Sequence, residues 1–210
     1  MTSLNRLAII GSGVGTTAEF VVMATENGEL PAHVVLIIGN NSRSGIFEVA
    51  ARHQIRSIHL STATHPQDAD RDTAMLEALT DAGVDLIVLA GYMKKIGPRV
   101  LAAYKGRMVN THPSLLPAYG STGMYGDRVH AAVLADHAPG TGATAHLVTE
   151  NYDEGPILEQ QPVPVKPEDD IASLRNRVQA VEKALLLRWL RKGAAEESVP
   201  PEVISQVWKA

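Results

Sequence analysis

The feature that most constrains this chain is the alternation of short, β-branched apolar runs with segments of helical period. Residues 7–10 and 33–38 are such runs, rich in Ile and Val and bounded by Gly or Asn, and both read as buried strands. Between them, 16–25 carries apolar residues at helical spacing behind a Gly-rich turn, giving the order strand, turn, helix, strand. The rhythm continues with a helix over 44–53, a strand over 57–60, a helix over 68–82 and a strand over 85–90. Strands joined through helices pair in parallel by right-handed crossovers and need a helical layer on each face. The expected fold is therefore α/β, a three-layer, mainly parallel twisted sheet.

The second half changes character. A strand over 107–110 runs straight into Thr111-His112-Pro113-Ser114-Leu115-Leu116-Pro117, and 118–126 is rich in Gly, Tyr and Ser, which reads as an exposed loop that moves. A short helix over 127–136 follows, then two extended segments, 144–149 and 157–165, separated by 150–156. The second segment alternates sides and reads as an antiparallel edge strand. Ile171, Leu174, Val178, Val181, Leu185 and Leu186 repeat at the period of a long amphipathic helix over 169–190. No repeat or linker interrupts the chain, so 1–210 is expected to form a single domain, with the tail beyond Pro200-Pro201 as a small final strand or a loosely packed end.

Composition narrows the function classes. A chain of 210 residues with 45% hydrophobic content has enough apolar side chain for one large core. Cys is absent, which removes disulfides, thiol nucleophiles and thiolate metal sites and points to a reducing compartment, the cytoplasm. Nineteen Lys plus Arg against 23 Asp plus Glu leave a charge of -4 without a basic block, so nucleic acid is not expected as a partner. No apolar run approaches the ~20 residues a bilayer span needs, and no membrane partner is expected. The His residues show no metal spacing, so no metal is expected either. His146, on an extended segment, reads as a buried imidazole or as a supporting partner for a site.

Three places could carry chemistry. Gly11-Ser12-Gly13-Val14-Gly15-Thr16-Thr17 leads into a helix whose first N–H groups favour an anion. A phosphate site and a plain strand-to-helix turn both fit this segment. It completes neither the dinucleotide fingerprint nor a P-loop. Asn110 and His112 stand two apart at the carboxyl end of an inner strand, where ligands collect in open α/β sheets, and extended residues two apart share a side. Asn offers amide donors to an oxyanion and His a proton near neutral pH; the other reading is that both tie down the loop. Asp153, in Glu150-Asn151-Tyr152-Asp153-Glu154-Gly155-Pro156, is the best acid to set the imidazole, although such sequences more often use Asp to cap a turn.

Asn110-Thr111-His112-Pro113-Ser114-Leu115-Leu116-Pro117, with Asp153-Glu154-Gly155-Pro156-Ile157, resembles the folate-dependent formyltransferases. Leu89-Ala90-Gly91-Tyr92-Met93 and Arg177-Val178-Gln179 with Glu182 extend the likeness, which runs from about Leu7 to Trp189. The resemblance implies a Rossmann-like formyltransferase fold with an antiparallel edge toward the C-terminal half. It implies 10-formyltetrahydrofolate as co-substrate, no metal, and a small ribonucleotide amine, glycinamide ribonucleotide of purine biosynthesis, as acceptor. Asn110, His112 and Asp153 would be catalytic. Met93, Lys94, Lys95, Ile96 and Asn110 would hold the folate; Gly15, Thr16, Thr17 and Glu182 would hold the acceptor. Val14 and Thr17 stand where the family's loop usually carries Asn, and the loop 121–126 departs from its commoner version. Another amine such as an amino sugar nucleotide, hydrolysis of the formylfolate, and a non-catalytic folate- or nucleotide-binding protein are the competing readings.

Overall fold

A computed structural model of the chain describes residues 5–195. In chain order its elements are β1 (Arg6–Gly11), α1 (Thr16–Glu26), β2 (His33–Gly39), α2 (Ile46–Arg52), β3 (Ser57–His59), α3 (Asp68–Asp81) and β4 (Leu86–Ala90). The second half adds α4 (Pro98–Ala103), β5 (Met108–His112), α5 (Asp127–Ala135), β6 (Gly140–Leu147), β7 (Ile157–Pro164) and α6 (Ile171–Ala195). One seven-stranded sheet runs β3-β2-β1-β4-β5-β6-β7. Its first five strands are parallel, whereas β6 runs against both β5 and β7.

The apolar runs are continuous because the central strands are covered on both faces. In β1, Leu7 and Ile9 point to the layer of α1, α2 and α6, while Ala8 and Ile10 point to the layer of α3 and α4. β4 divides in the same way, with Leu86 and Val88 on one side and Ile87 and Leu89 on the other. A third cluster joins α5, β7 and the start of α6 through Val129, Val133, Val163, Leu174 and Val178. The layer that holds α1 thus also holds α6, and α5 packs against α6.

Several expectations are corrected in detail. The strand expected over 107–110 extends through His112, because Thr111 and His112 pair with Ala145 and Thr144 of β6. β6 begins at Gly140 rather than 144, and it pairs antiparallel with both β5 and the edge strand β7, which gives the expected antiparallel edge. Helix α4, the short helix that follows residues 93–96, is only six residues long and starts at Pro98. The last helix starts at Ile171 because Asp170 caps it: the Asp170 carboxylate accepts the Ser173 N–H at 2.7 Å, and the Ser173 hydroxyl accepts the Asp170 N–H at 3.0 Å. Ile171 itself is 38% exposed, whereas Leu174, Val178, Leu185 and Leu186 are fully buried. The expected strand or loose end beyond Pro200-Pro201 lies outside the described residues.

Helix α4 is capped from another helix. Its N-cap, Gly97, has no side chain, and the buried carboxylate of Asp72 on α3 accepts the Arg99 and Val100 N–H groups at 2.8 and 3.2 Å. Asp72→Ala strands both donors, and we expect a loss of about 1–3 kcal/mol, visible as a fall in Tm of about 2–4 °C per kcal/mol. An unchanged denaturation midpoint would show that the cap contributes nothing.

Candidate active site

The site is built on the pairing of β5 with β6. In that antiparallel register Asn110 lies opposite His146, and His112 opposite Thr144. Cross-strand partners share a face, as do residues two apart, so the four side chains converge. Thr144 holds the loop after β5 in place: its hydroxyl donates to the Ser114 carbonyl at 2.7 Å and accepts the Leu116 N–H at 3.0 Å. The Gln160 amide reaches both the Thr144 hydroxyl and the Leu116 carbonyl at 2.9 Å.

The hydrogen bonds fix proton positions. His146 Nδ1 lies 3.0 Å from the Leu147 carbonyl and must carry its hydrogen there. Burial pushes the His146 pKa down, against smaller opposing effects of the Leu147 carbonyl and Asp153, so the ring is neutral and Nε2 is bare. That nitrogen accepts the Asn110 carboxamide N–H at 3.1 Å, which sets the orientation of the amide and leaves its second N–H for a ligand. His112, only 4% exposed, donates from Nε2 to the Tyr119 carbonyl at 2.8 Å and turns Nδ1 toward Asp153 Oδ2 at 3.4 Å.

Asp153 is brought to this point by its turn. It adopts φ 57°, and a Cβ on Gly155 would stand 1.7 Å from the Leu147 carbonyl, so only glycine lets the turn close against β6. The carboxylate lies 3.4 Å from His112 Nδ1 and 3.6 Å from His146 Nε2. Its burial pushes the pKa up, but the hydrogen bond and charge of His112, with help from His146 and the Ser121 N–H, more than offset this and leave it below the ordinary value. Asp153 is therefore an ionised partner of His112, with His146 beside it.

These groups form the inner wall of a cleft of about 500 Å³, within the usual range for small-molecule sites. Every site residue named from the sequence lines it: Asn110, His112 and Asp153 at the wall, Met93, Lys94, Lys95 and Ile96 along one side, and Gly15, Thr16, Thr17 and Glu182 along the other. Ser12 joins the two sides, because its N–H donates to the Gly91 carbonyl at 3.2 Å and its hydroxyl accepts the Met93 N–H at 3.0 Å. Met93 is open to solvent, while Ile96 belongs to the core under α4 and shows the cleft only its edge. Lys95 Nζ sits 5.4 Å from the Tyr152 ring centroid. Gly15 is the N-cap of α1 at φ 88°, with no side-chain cap, so the first N–H groups of α1 are open to an anion. Among the described residues no cluster of three or more His, Asp or Glu has metal-holding geometry. Nor is any described helix long and apolar enough to cross a membrane.

Residues 5–190 match the model of the formyl transferase family. The chain belongs to that family. It is 38% identical over 182 residues to a phosphoribosylglycinamide formyltransferase of Mycobacterium tuberculosis, covering 87% of this chain and 81% of that protein. A crystal structure of phosphoribosylglycinamide formyltransferase from Bacillus halodurans matches with a TM-score of 0.84 at 35% identity, covering 91% of this chain and 96% of the other. Glycinamide ribonucleotide transformylase 1 from Symbiobacterium toebii matches with a TM-score of 0.85 at 30% identity, covering 95% and 92%. The mixed sheet of this formyl transferase is the fold of those neighbours.

Three contacts escaped the sequence reading, although His146 itself was read as a buried imidazole or supporting partner. The pairing of His146 with Asn110 follows from strand register alone, and the Tyr119 carbonyl under His112 from the path of the loop. Thr111, between the two catalytic candidates, faces the opposite way toward Glu182. Glu182 is not the solvated helix position that its neighbours on α6 suggest. Burial at the end of the cleft raises its pKa from 4.5 to about 7, against the Thr111 hydrogen bond and the charges of His112 and Lys183. Since the folded-state pKa lies above the unfolded one, the folded protein keeps this proton while the unfolded chain loses it. Stability is therefore lost as pH rises from about 4.5 through about 7. Glu182→Gln removes this dependence, so its stability relative to the parent should grow between pH 5 and pH 8 in urea unfolding. An offset that does not vary with pH would disprove a buried, titrating Glu182.

Proposed function

We propose that the protein transfers the formyl group of 10-formyltetrahydrofolate to the primary amine of glycinamide ribonucleotide, working as a single domain in the cytoplasm. The observation that carries this reading is the free Asn110 N–H beside the His112–Asp153 pair, in a cleft that also opens onto the uncapped start of α1. The names of the formyltransferases at 30–38% identity support the choice of acceptor.

In the reaction the amine nitrogen attacks the formyl carbon, the carbonyl electrons move to oxygen, and the bond from carbon to the folate nitrogen then breaks. The amine gives up one proton and the folate nitrogen gains one. The Asn110 N–H donates to the oxygen as its charge develops, an interaction stronger in the transition state than before it. His112 has one ring nitrogen held by the Tyr119 carbonyl, so its second nitrogen and the ionised Asp153 form the relay that takes and returns the proton. Met93 and Ile96 contact the pterin, with Lys94 and Lys95 at the outer edge. The N–H groups of Gly15, Thr16 and Thr17 receive the phosphate. Glu182, whose pKa is raised to about 7, bonds the ribonucleotide, and in its protonated form it does so without repelling the phosphate.

An acceptor panel tests this directly: the protein is mixed with 10-formyltetrahydrofolate and each amine while folate absorbance is followed. Glycinamide ribonucleotide should support turnover. Turnover confined to an amino sugar nucleotide, or formate released without any acceptor, would replace this reading with the corresponding alternative. Asn110→Ala should retain folate binding and lose about 100- to 1,000-fold in kcat.

A further inference from the structure

We infer that Arg128 is an acceptor-specificity residue that binds the ribonucleotide's phosphate from the side opposite α1. The inference rests on the proposed ribonucleotide acceptor. Arg128 lies in the first turn of α5, lines the cleft and is exposed. Its guanidinium has no carboxylate partner among the described ion pairs. It stacks 4.9 Å from the Tyr125 ring centroid and makes one long hydrogen bond, at 3.4 Å, to the Gly123 carbonyl.

This geometry differs from that of the other Arg residues nearby. Arg175 is engaged with Asp127, and Arg177 with Asp169, in each case through two short bonds. Their charges are matched, whereas Arg128 is held in place by an aromatic face that leaves most of its five donors open.

The topology puts that charge on the acceptor side. The helix layer containing α1 also contains α6, α5 packs on α6, and the start of α5, the start of α1 and Gln179 and Glu182 of α6 all line the one cleft. Lys94 and Lys95, the other cations lining the cleft, stand on the β4 side. The loop 13–17 contributes no charged side chain, and its exposed residues are the apolar Val14, at 78%, and Thr16. A phosphate monoester dianion seated on backbone N–H groups there meets no charged side chain from its own loop, and a planar guanidinium supplies a counter-charge with bidentate geometry.

The test compares glycinamide ribonucleotide with its phosphate-free riboside, using Arg128→Ala and Arg128→Lys in the full-length protein with 10-formyltetrahydrofolate. Arg128→Ala should raise KM for the ribonucleotide about 10- to 100-fold, the range expected for a lost charge-assisted bond. The folate KM and the Tm should stay within error, and Arg128→Lys should recover part of the loss. With the riboside, Arg128→Ala and the parent should be equal. An unchanged ribonucleotide KM, or an equal rise for both acceptors, would overturn the role of Arg128 while leaving the formyl-transfer reading intact. Absence of ribonucleotide turnover by the parent protein would instead overturn the acceptor assignment, and this inference with it.

Discussion

The hydrogen bond between the Asn110 carboxamide and His146 Nε2 is the interaction on which the rest of the site depends. It exists because β5 and β6 run antiparallel in a register that sets the two residues opposite each other. Neutral His146, with its hydrogen committed to the Leu147 carbonyl, can only accept, so the amide must present its NH2 group. A carboxamide turned the other way would offer an oxygen to a developing negative charge. The buried imidazole therefore decides which end of the Asn110 carboxamide faces the cleft.

A second constraint separates charge from neutrality within a few ångströms. His112 and His146 flank one carboxylate at 3.4 and 3.6 Å, yet burial keeps the second ring neutral while the first pairs with Asp153. Two like imidazoles thus differ by their surroundings, one orienting an amide and one paired with a carboxylate. Glu182 completes the pattern, since burial keeps it protonated over a range in which an exposed glutamate is ionised. A half-buried carboxyl thus shares the cleft with the uncapped start of α1.

The fold serves the site by placing its halves on separate layers. Loops after β1 and β4 leave the sheet as neighbours because those strands pair, and Ser12 ties them together through Gly91 and Met93. Parallel order from β3 to β5 gathers the carboxyl ends of the strands at one edge. The reversal at β6 then brings a strand back along β5, which lets His146 and the turn bearing Asp153 reach the same edge.

Much of this was legible from residue order. Leu7–Ile10 and Leu86–Ala90 announce strands covered on both faces, and the period of Leu174, Val178, Leu185 and Leu186 announces α6, because burial writes itself into local hydrophobic pattern. Asn110 and His112 could be placed together because residues two apart in a strand share a side. The sequence also carried the Asn-x-His and Asp-Glu-Gly-Pro segments that mark the family. Only the tertiary structure decided that Asp153 faces two imidazoles instead of capping its own turn, that His146 orients Asn110, that Asp72 caps a helix on a neighbouring element, and that Glu182 is buried enough to hold its proton. Each of these depends on groups distant in the chain brought into contact by strand register or helix packing, and local pattern holds no record of the partner across the sheet.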